Sequence, residues 1–217
     1  MQANYLSGVA NSTLLDPDAS AWQSGTATTI KLVGTPASLQ PTAAIRANWE
    51  DRPIGAITEV SIVALHNSEV LAFRLQWDEP NPSADNGDNT RFPDGAAVAF
   101  PLVGEPSLVT MGAQDQPISI WSWRAGEQGG KQLVAAGLGT SEIIESSQIS
   151  TNQVWHDGQY SVVIARTMFG DSNISSAQFR PGQHSRFGLA IWSGRNGERA
   201  GIKSFTPAWY DLHLATG

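Results

Sequence analysis

Apolar and polar positions alternate along much of this chain with a period of two rather than 3.6, which is the signature of strands. The clearest case is EVLAFRLQWDE, residues 69–79. Leu71, Phe73, Leu75 and Trp77 fall on one side, and Ala72, Arg74 and Gln76 on the other, as in a strand with one buried face. ITEVSIVALH (57–66) precedes it, and Asn67-Ser68 between the two predicts a hairpin. Shorter runs predict strands in ATTIKLVG (27–34), AAVAFPL (96–102), PISIWSWRA (117–125), KQLVAAG (131–137) and SEIIESSQIS (141–150). YSVVIARTM (160–168), RFGLAIWSG (186–194) and IKSFTPAWYDLHL (202–214) complete the set. LLDPDASAWQ (14–23) reads as a turn with some helical character. TPASLQPTAA (35–44) reads as an irregular connection, because its prolines cannot donate to a central ladder. With turn residues between short strands and few helical windows, the pattern predicts an all-β fold. We expect an antiparallel β-sandwich with few short helices, forming a single domain over residues 1–217.

Composition narrows what such a sandwich does. At 217 residues the chain buries a sizeable core without covalent staples. Lys plus Arg number 13 against 20 Asp plus Glu, a formal net charge of -7, which argues against nucleic acid and anionic membranes as partners. Cysteine is absent, which excludes disulfides, Cys-zinc sites, Fe–S ligation and haem attached through Cys-x-x-Cys-His. No apolar run approaches the length of a membrane span. MQANYLSGVANSTLL lacks a basic region ahead of an apolar stretch, so it reads as a mature N-terminus behind an added Met rather than an intact signal peptide.

The loop 78–94 carries Asp78, Glu79, Asp85, Asp88 and Asp94, yet its spacing does not match a calcium loop, and a solvated loop is the expected reading. Nucleophilic catalysis finds no G-x-S-x-G, and zinc hydrolysis finds no H-E-x-x-H. His66, His156, His184 and His213 are scattered. Eight tryptophans admit a carbohydrate-binding module, although Trp77, Trp155, Trp192 and Trp209 fall at strand ends, where half-buried core edges explain them equally well. Met111, between SLVTM and PISIW, is either a gap-filling core residue or a soft sulfur ligand.

Several segments occur in an order that resembles one family: RFPDGAAVAFP (91–101), Met111-Gly112 with PISIWSWRAG (117–126), SVVIAR (161–166), FGLAIWSGRNGERAG (187–201) and KSFTPAWYDLHL (203–214). They resemble the haem b-binding gamma subunit of type II dimethyl sulfoxide reductase family enzymes. Ethylbenzene dehydrogenase, dimethyl sulfide dehydrogenase, chlorate reductase and selenate reductase are of this type. The resemblance runs from about Ala21 onward. It implies one non-covalent haem b held between the sheets of the sandwich, with a methionine and a lysine as axial ligands. By position these are Met111 and Lys203, with Trp121 and Arg124 also cofactor-binding. Met168 is the rival sulfur, and His213 or His184 the alternative to Lys203. Arg124, Arg166 and Arg195 are candidate partners for the propionates, since guanidinium forks match carboxylates. A thioether suits low-spin, electron-transferring iron. The resemblance further implies a periplasmic, non-catalytic electron-transfer subunit working with a molybdopterin-containing alpha subunit, an Fe–S beta subunit and a soluble c-type cytochrome. The alternatives are a carbohydrate-binding module and a free-standing haem-binding redox or sensor domain.

Overall fold

The computed structural model describes residues 1–85, 91–145, 148–169 and 175–217. Its strands are β1 (Gln2–Tyr5), β2 (Thr28–Lys31), β3 (Val33–Gly34), β4 (Glu59–His66), β5 (Val70–Asp78), β6 (Gly95–Pro101) and β7 (Ile118–Arg124). They continue with β8 (Lys131–Ala135), β9 (Glu142–Ile143), β10 (Ser150–His156), β11 (Gln159–Thr167), β12 (His184–Trp192), β13 (Ser204–Phe205) and β14 (Tyr210–Leu214). The α-helices among the described residues are short, α1 (Asn11–Leu15) and α2 (Ala43–Asn48), and neither is long and apolar enough to cross a membrane.

A continuous ladder runs β10-β11-β5-β4-β1-β14-β12-β6-β7-β8-β9 and folds over at β12 into two layers. The N-terminal half of β12 pairs with β14, from His184↔His213 to Phe187↔Tyr210. Its C-terminal half pairs with β6, from Gly188↔Ala99 to Trp192↔Gly95, and also with β13. One strand thus belongs to both layers. The layer containing β6 is called the front sheet below, and the layer containing β5 the back sheet.

The period-two pattern sorts the side chains. Leu71, Phe73, Leu75 and Trp77 of β5 meet Val98 and Phe100 of β6, Trp121 and Trp123 of β7, and Phe187, Leu189 and Ile191 of β12 in the core between the layers. The opposite faces carry separate clusters. Val63, Leu65, Ala72, Val163 and Ala165 of the back sheet are covered by Leu14 and Trp22. Ala97, Ile118 and Ile120 of the front sheet are covered by Leu108 and Phe205, with Val109 and Met111 packed beside them.

The all-β sandwich with few short helices is the fold expected. The Asn67-Ser68 hairpin is present: the Asn67 side-chain oxygen accepts from the N–H of Glu69 at 3.1 Å and of Val70 at 2.9 Å, and Ser68 takes φ 73. The antiparallel expectation needs one correction, because β1 pairs parallel with both β4 and β14. SEIIESSQIS is divided between β9 and the first residue of β10, with 146–147 outside the described residues. β10 itself, STNQVWH, is an edge strand with little burial on either face, so it lacks the alternation that betrays inner strands. The loop 78–94 is not wholly solvated as expected: Glu79 and Asp94 are buried and accept hydrogen bonds from Ser193 and from Ser83 and Gly194, Asp88 lies outside the described residues, and no metal-holding cluster of His, Asp and Glu occurs among the described residues.

Candidate functional site

Three separate stretches meet on the outer face of the front sheet. The first is the loop after β6. Met111 N–H donates to Leu108 O at 3.1 Å and Gly112 N–H to Ser107 O at 3.0 Å, which closes a tight turn over residues 107–112. Trp209 Nε1 fastens this loop to the sheet through Pro106 O at 2.6 Å. Gly188 of β12 makes room for it, since a Cβ there would stand 2.7 Å from Leu108 Cδ1. Within the turn Met111 adopts φ 57, a left-handed conformation that costs a non-glycine residue about 1–2 kcal/mol.

The second stretch is the turn between β12 and β13. Arg199 and Ile202 bridge, Ala200 takes φ 50, and Trp192 Nε1 donates to Ala200 O at 3.1 Å. Lys203 follows immediately, 6% exposed. The third stretch is the connection from β3 into α2, which lies across the other two: Thr35, Pro36, Leu39 and Gln40 line one side of a narrow, nearly closed cleft, with Met111 and Lys203 on the other.

In this cleft Lys203 Nζ stands 3.3 Å from Met111 Sδ and 5.5 Å from the Trp192 ring centre. Among the described residues its amine forms no ion pair. A buried ammonium without a carboxylate is costly, and burial accordingly lowers the Lys203 pKa from 10.5 to about 8. At pH 7 a pKa of about 8 leaves about 10% of the amine neutral, against about 0.03% for an ordinary lysine. A soft thioether and a neutral amine facing each other form a donor pair suited to a soft or borderline transition metal, not to calcium or magnesium.

Two of the four non-glycine residues with positive φ among the described residues, Met111 and Ala200, occupy the turns that present these donors. Strain of this kind gathers where the surrounding structure fixes a conformation for a purpose other than stability.

Residues 19–143 and 137–204 match the family described as ethylbenzene dehydrogenase. The chain belongs to this family. Among its relatives, a Haloferax mediterranei protein, ORF7, named for a heme subunit of respiratory nitrate reductase, is 28% identical over 204 residues, 93% of this chain and 68% of that protein. Chlorate reductase subunit gamma of Ideonella dechloratans is 27% identical over 207 residues, 95% of this chain and 82% of that one. Solved structures add a likeness of fold. A carbohydrate-binding protein from Bacteroides uniformis superposes with a TM-score of 0.59 at 10% identity, covering 99% of this chain and 98% of that one. A family 9 carbohydrate-binding module from Caldicellulosiruptor kristjanssonii, in complex with cellotriose, gives 0.51 at 8% identity, covering 100% and 94%. At such identities these likenesses show the fold alone.

The ethylbenzene dehydrogenase family chain thus brings Met111 and Lys203 together, and it puts them on the outer face of the front sheet. The layer between the sheets, where the pocket was expected, is filled with side chains. Trp121 points into that layer, against Phe73, Phe100 and Phe179, on the opposite face of β7 from Ile118 and Ile120. Arg124 is exposed at the end of β7 and stands opposite Gly95. Met168 is fully buried between the sheets, a core residue. His184 and His213 stack on each other, ring centres 4.4 Å apart, on β12 and β14. Arg166 is committed inside the sandwich: its guanidinium lies 4.8 Å from the Trp121 ring and donates to Gln132, Ser176 and Ala177. Arg195 is exposed and lines a groove with Glu79 and Ser193. Sequence reasoning missed Thr35 and Gln40, whose stretch carries no periodicity and whose contacts are to backbone, and Trp192, because strand periodicity does not show that the turn after β12 brings Lys203 over its ring.

Do the residues present fit a haem? The donor chemistry does. A thioether and a neutral amine only 3.3 Å apart would hold an iron between them after a small separation of the two side chains. The walls are apolar where a porphyrin face requires it, with Leu39, Leu108, Val109 and Leu138 beside the donors. A macrocycle also requires the 35–40 stretch to stand further from the 107–112 loop than it does in this narrow cleft.

Proposed function

We propose that this chain holds one haem b without a covalent bond, with Met111 and Lys203 as axial ligands. It then serves as the electron-transfer subunit of a periplasmic molybdenum oxidoreductase, relaying electrons between an Fe–S subunit and a soluble c-type cytochrome. The observation that carries the reading is the Met111 Sδ–Lys203 Nζ approach of 3.3 Å around an amine that burial inclines towards its neutral form. Family membership supports it, as do relatives named for a heme subunit and a gamma subunit of reductases. Haem iron supplies one-electron chemistry, and a thioether ligand favours its reduced state.

The protein's own part is to present both donors at once. With two axial positions taken by side chains, the metal offers no open site to substrate, so catalysis belongs to another subunit. Lys203 must release its proton to bind, which its burial makes easier. The net charge of -7 suits docking of a basic cytochrome by long-range steering.

A carbohydrate-binding reading has the fold likeness in its favour but lacks the surface. Of the large side chains standing well exposed among the described residues, only Trp155 and Phe169 are aromatic. Trp155 is also tied through its ring N–H to Glu79 O at 2.8 Å. No platform of adjacent exposed rings exists among the described residues on which a sugar chain could stack.

The test is spectroscopic. The haem-loaded protein is expected to give a low-spin b-type spectrum, with haem extractable by acid–acetone. Met111→Ala and Lys203→Ala are each expected to convert it towards high spin. A protein that stays colourless in haem and binds oligosaccharide refutes the proposal. A low-spin spectrum surviving Lys203→Ala refutes the lysine ligand, with His213 and His184 next to be tested.

A further inference from the structure

The segment from β3 into α2 does more than line the cleft. β3 pairs with β13 through Ser204↔Gly34 and Phe205↔Val33, and the next residue, Thr35, sits where that ladder reaches Lys203. Thr35 N–H donates to Lys203 O at 2.9 Å. The Thr35 hydroxyl donates to Gly201 O at 2.8 Å and accepts from Lys203 N–H at 3.3 Å. One side-chain oxygen therefore spans the two sides of the peptide stretch that aims Lys203. Gln40 adds a second tie, its Nε2 donating to Gly201 O at 3.2 Å, and a Cβ on Gly201 would stand 2.5 Å from Gln40 Oε1.

A lysine side chain has four rotatable bonds and no preferred direction of its own. Its amine reaches Met111 Sδ only while the backbone at 201–203 is held, and the turn before it contains the left-handed Ala200. We propose that Thr35 is a positioning residue for the Lys203 ligand: its hydroxyl fixes the backbone of residues 201–203 so that the amine and the Met111 sulfur face each other. This rests on the haem reading above and extends it to a residue that acts on the ligand through the ligand's own backbone. A hydrogen-bonding partner of this kind changes metal affinity by about 10–100-fold when removed.

The experiment compares the full chain loaded with haem b as wild type, Thr35→Val and Thr35→Ser, at 25 °C, where circular dichroism shows each to be folded. Valine keeps the branched shape and deletes the hydroxyl; serine keeps the hydroxyl. Thr35→Val is expected to lose part of the low-spin signal and to release haem to an acceptor globin about 10–100-fold faster. Thr35→Ser is expected to restore both. In the Lys203→Ala background Thr35→Val is expected to have no further effect on either readout, since nothing remains to be positioned. Should Thr35→Val fail to fold, Thr35→Ala removes the same hydroxyl without a new methyl group. A wild-type spectrum and a release rate within twofold in Thr35→Val overturn the inference, as does a serine variant no better than valine, or an undiminished effect in the Lys203→Ala background. If Lys203→Ala alone leaves the low-spin spectrum intact, the lysine-ligand reading falls and this inference with it. If Lys203→Ala abolishes that spectrum and Thr35→Val does nothing, only this inference falls.

Discussion

Replacing Lys203 with leucine is expected to make the haem-free protein more stable at neutral pH. The Lys203 amine is buried with no carboxylate beside it among the described residues, and its pKa falls from 10.5 to about 8. At 1.36 kcal/mol per pH unit, that displacement is worth about 3 kcal/mol. The sign follows from proton counting. Between pH 8 and 10.5 the unfolded chain keeps the lysine proton while the folded chain has lost it, so stability rises with pH across this window. Below pH 8 both states hold the proton and the folded state bears the full penalty. Leucine removes the penalty but loses part of the side-chain packing, about 1 kcal/mol, leaving a gain of about 2 kcal/mol at pH 7. By pH 10.5 the penalty is nearly gone and only the lost packing is left, so the leucine variant is expected to be about 1 kcal/mol less stable there. Urea denaturation of both proteins at pH 7, 9 and 10.5 measures it, with unchanged m-values confirming that midpoints report stability. Taking the difference between the two proteins cancels other titrating groups, including Tyr160, whose hydroxyl burial and Asp94 push far above its ordinary range. A leucine variant less stable at pH 7, by an amount that does not change with pH, would falsify the claim that this amine is held at a cost.

Other perturbations test the frame around the site. His66 is fully buried and desolvation lowers its pKa below 6.5, so the unfolded chain takes up the proton first and stability is expected to fall as pH drops below 6.5; His66→Leu should flatten that fall in denaturation midpoints. Gly34→Ala places a Cβ 1.9 Å from Ile54 O and is expected to displace the β3–β13 pair, with accelerated haem release as the measure and a wild-type rate as the contrary result. Asp94 accepts from Ser83 N–H at 2.6 Å, Gly194 N–H at 2.7 Å and the Tyr160 hydroxyl at 3.1 Å. Asp94→Ala strands these donors and is expected to lower stability by about 2–5 kcal/mol in urea, a loss below 1 kcal/mol being the refuting result.

The strands that can be read from sequence are those with one face in the core. β5 and β12 alternate along the chain, β4 and β11 are near-continuous apolar runs buried on both faces, and all four appear where expected. β1 escaped notice because QANY has one fully buried residue, Ala3, and owes its place to the open edges of β4 and β14. α2 formed behind the prolines of 35–41, where Thr42 caps it by accepting from Ile45 N–H at 3.2 Å. The donor pair was legible only through the family resemblance: no spacing links Met111 to a lysine 92 positions away. Which face of the front sheet the pair occupies could not be read either, because Met111 sits in a turn and Lys203 just ahead of a two-residue strand.

The ladder also orders events during synthesis. β1 lies between β4 and β14, so it finds one of its neighbours only after about two hundred further residues have been made. Contacts so distant in sequence are slow to form, and open edges in the meantime invite mispairing. The donor cleft follows the same schedule, since its walls come from residues 35–40, 108–111 and 201–203. On the proposed ligation, a nascent or truncated chain ending before residue 203 would carry the sulfur without the amine and would retain haem poorly. Haem retention would then mark the copies in which all three walls of the cleft have closed, and so the copies ready for assembly.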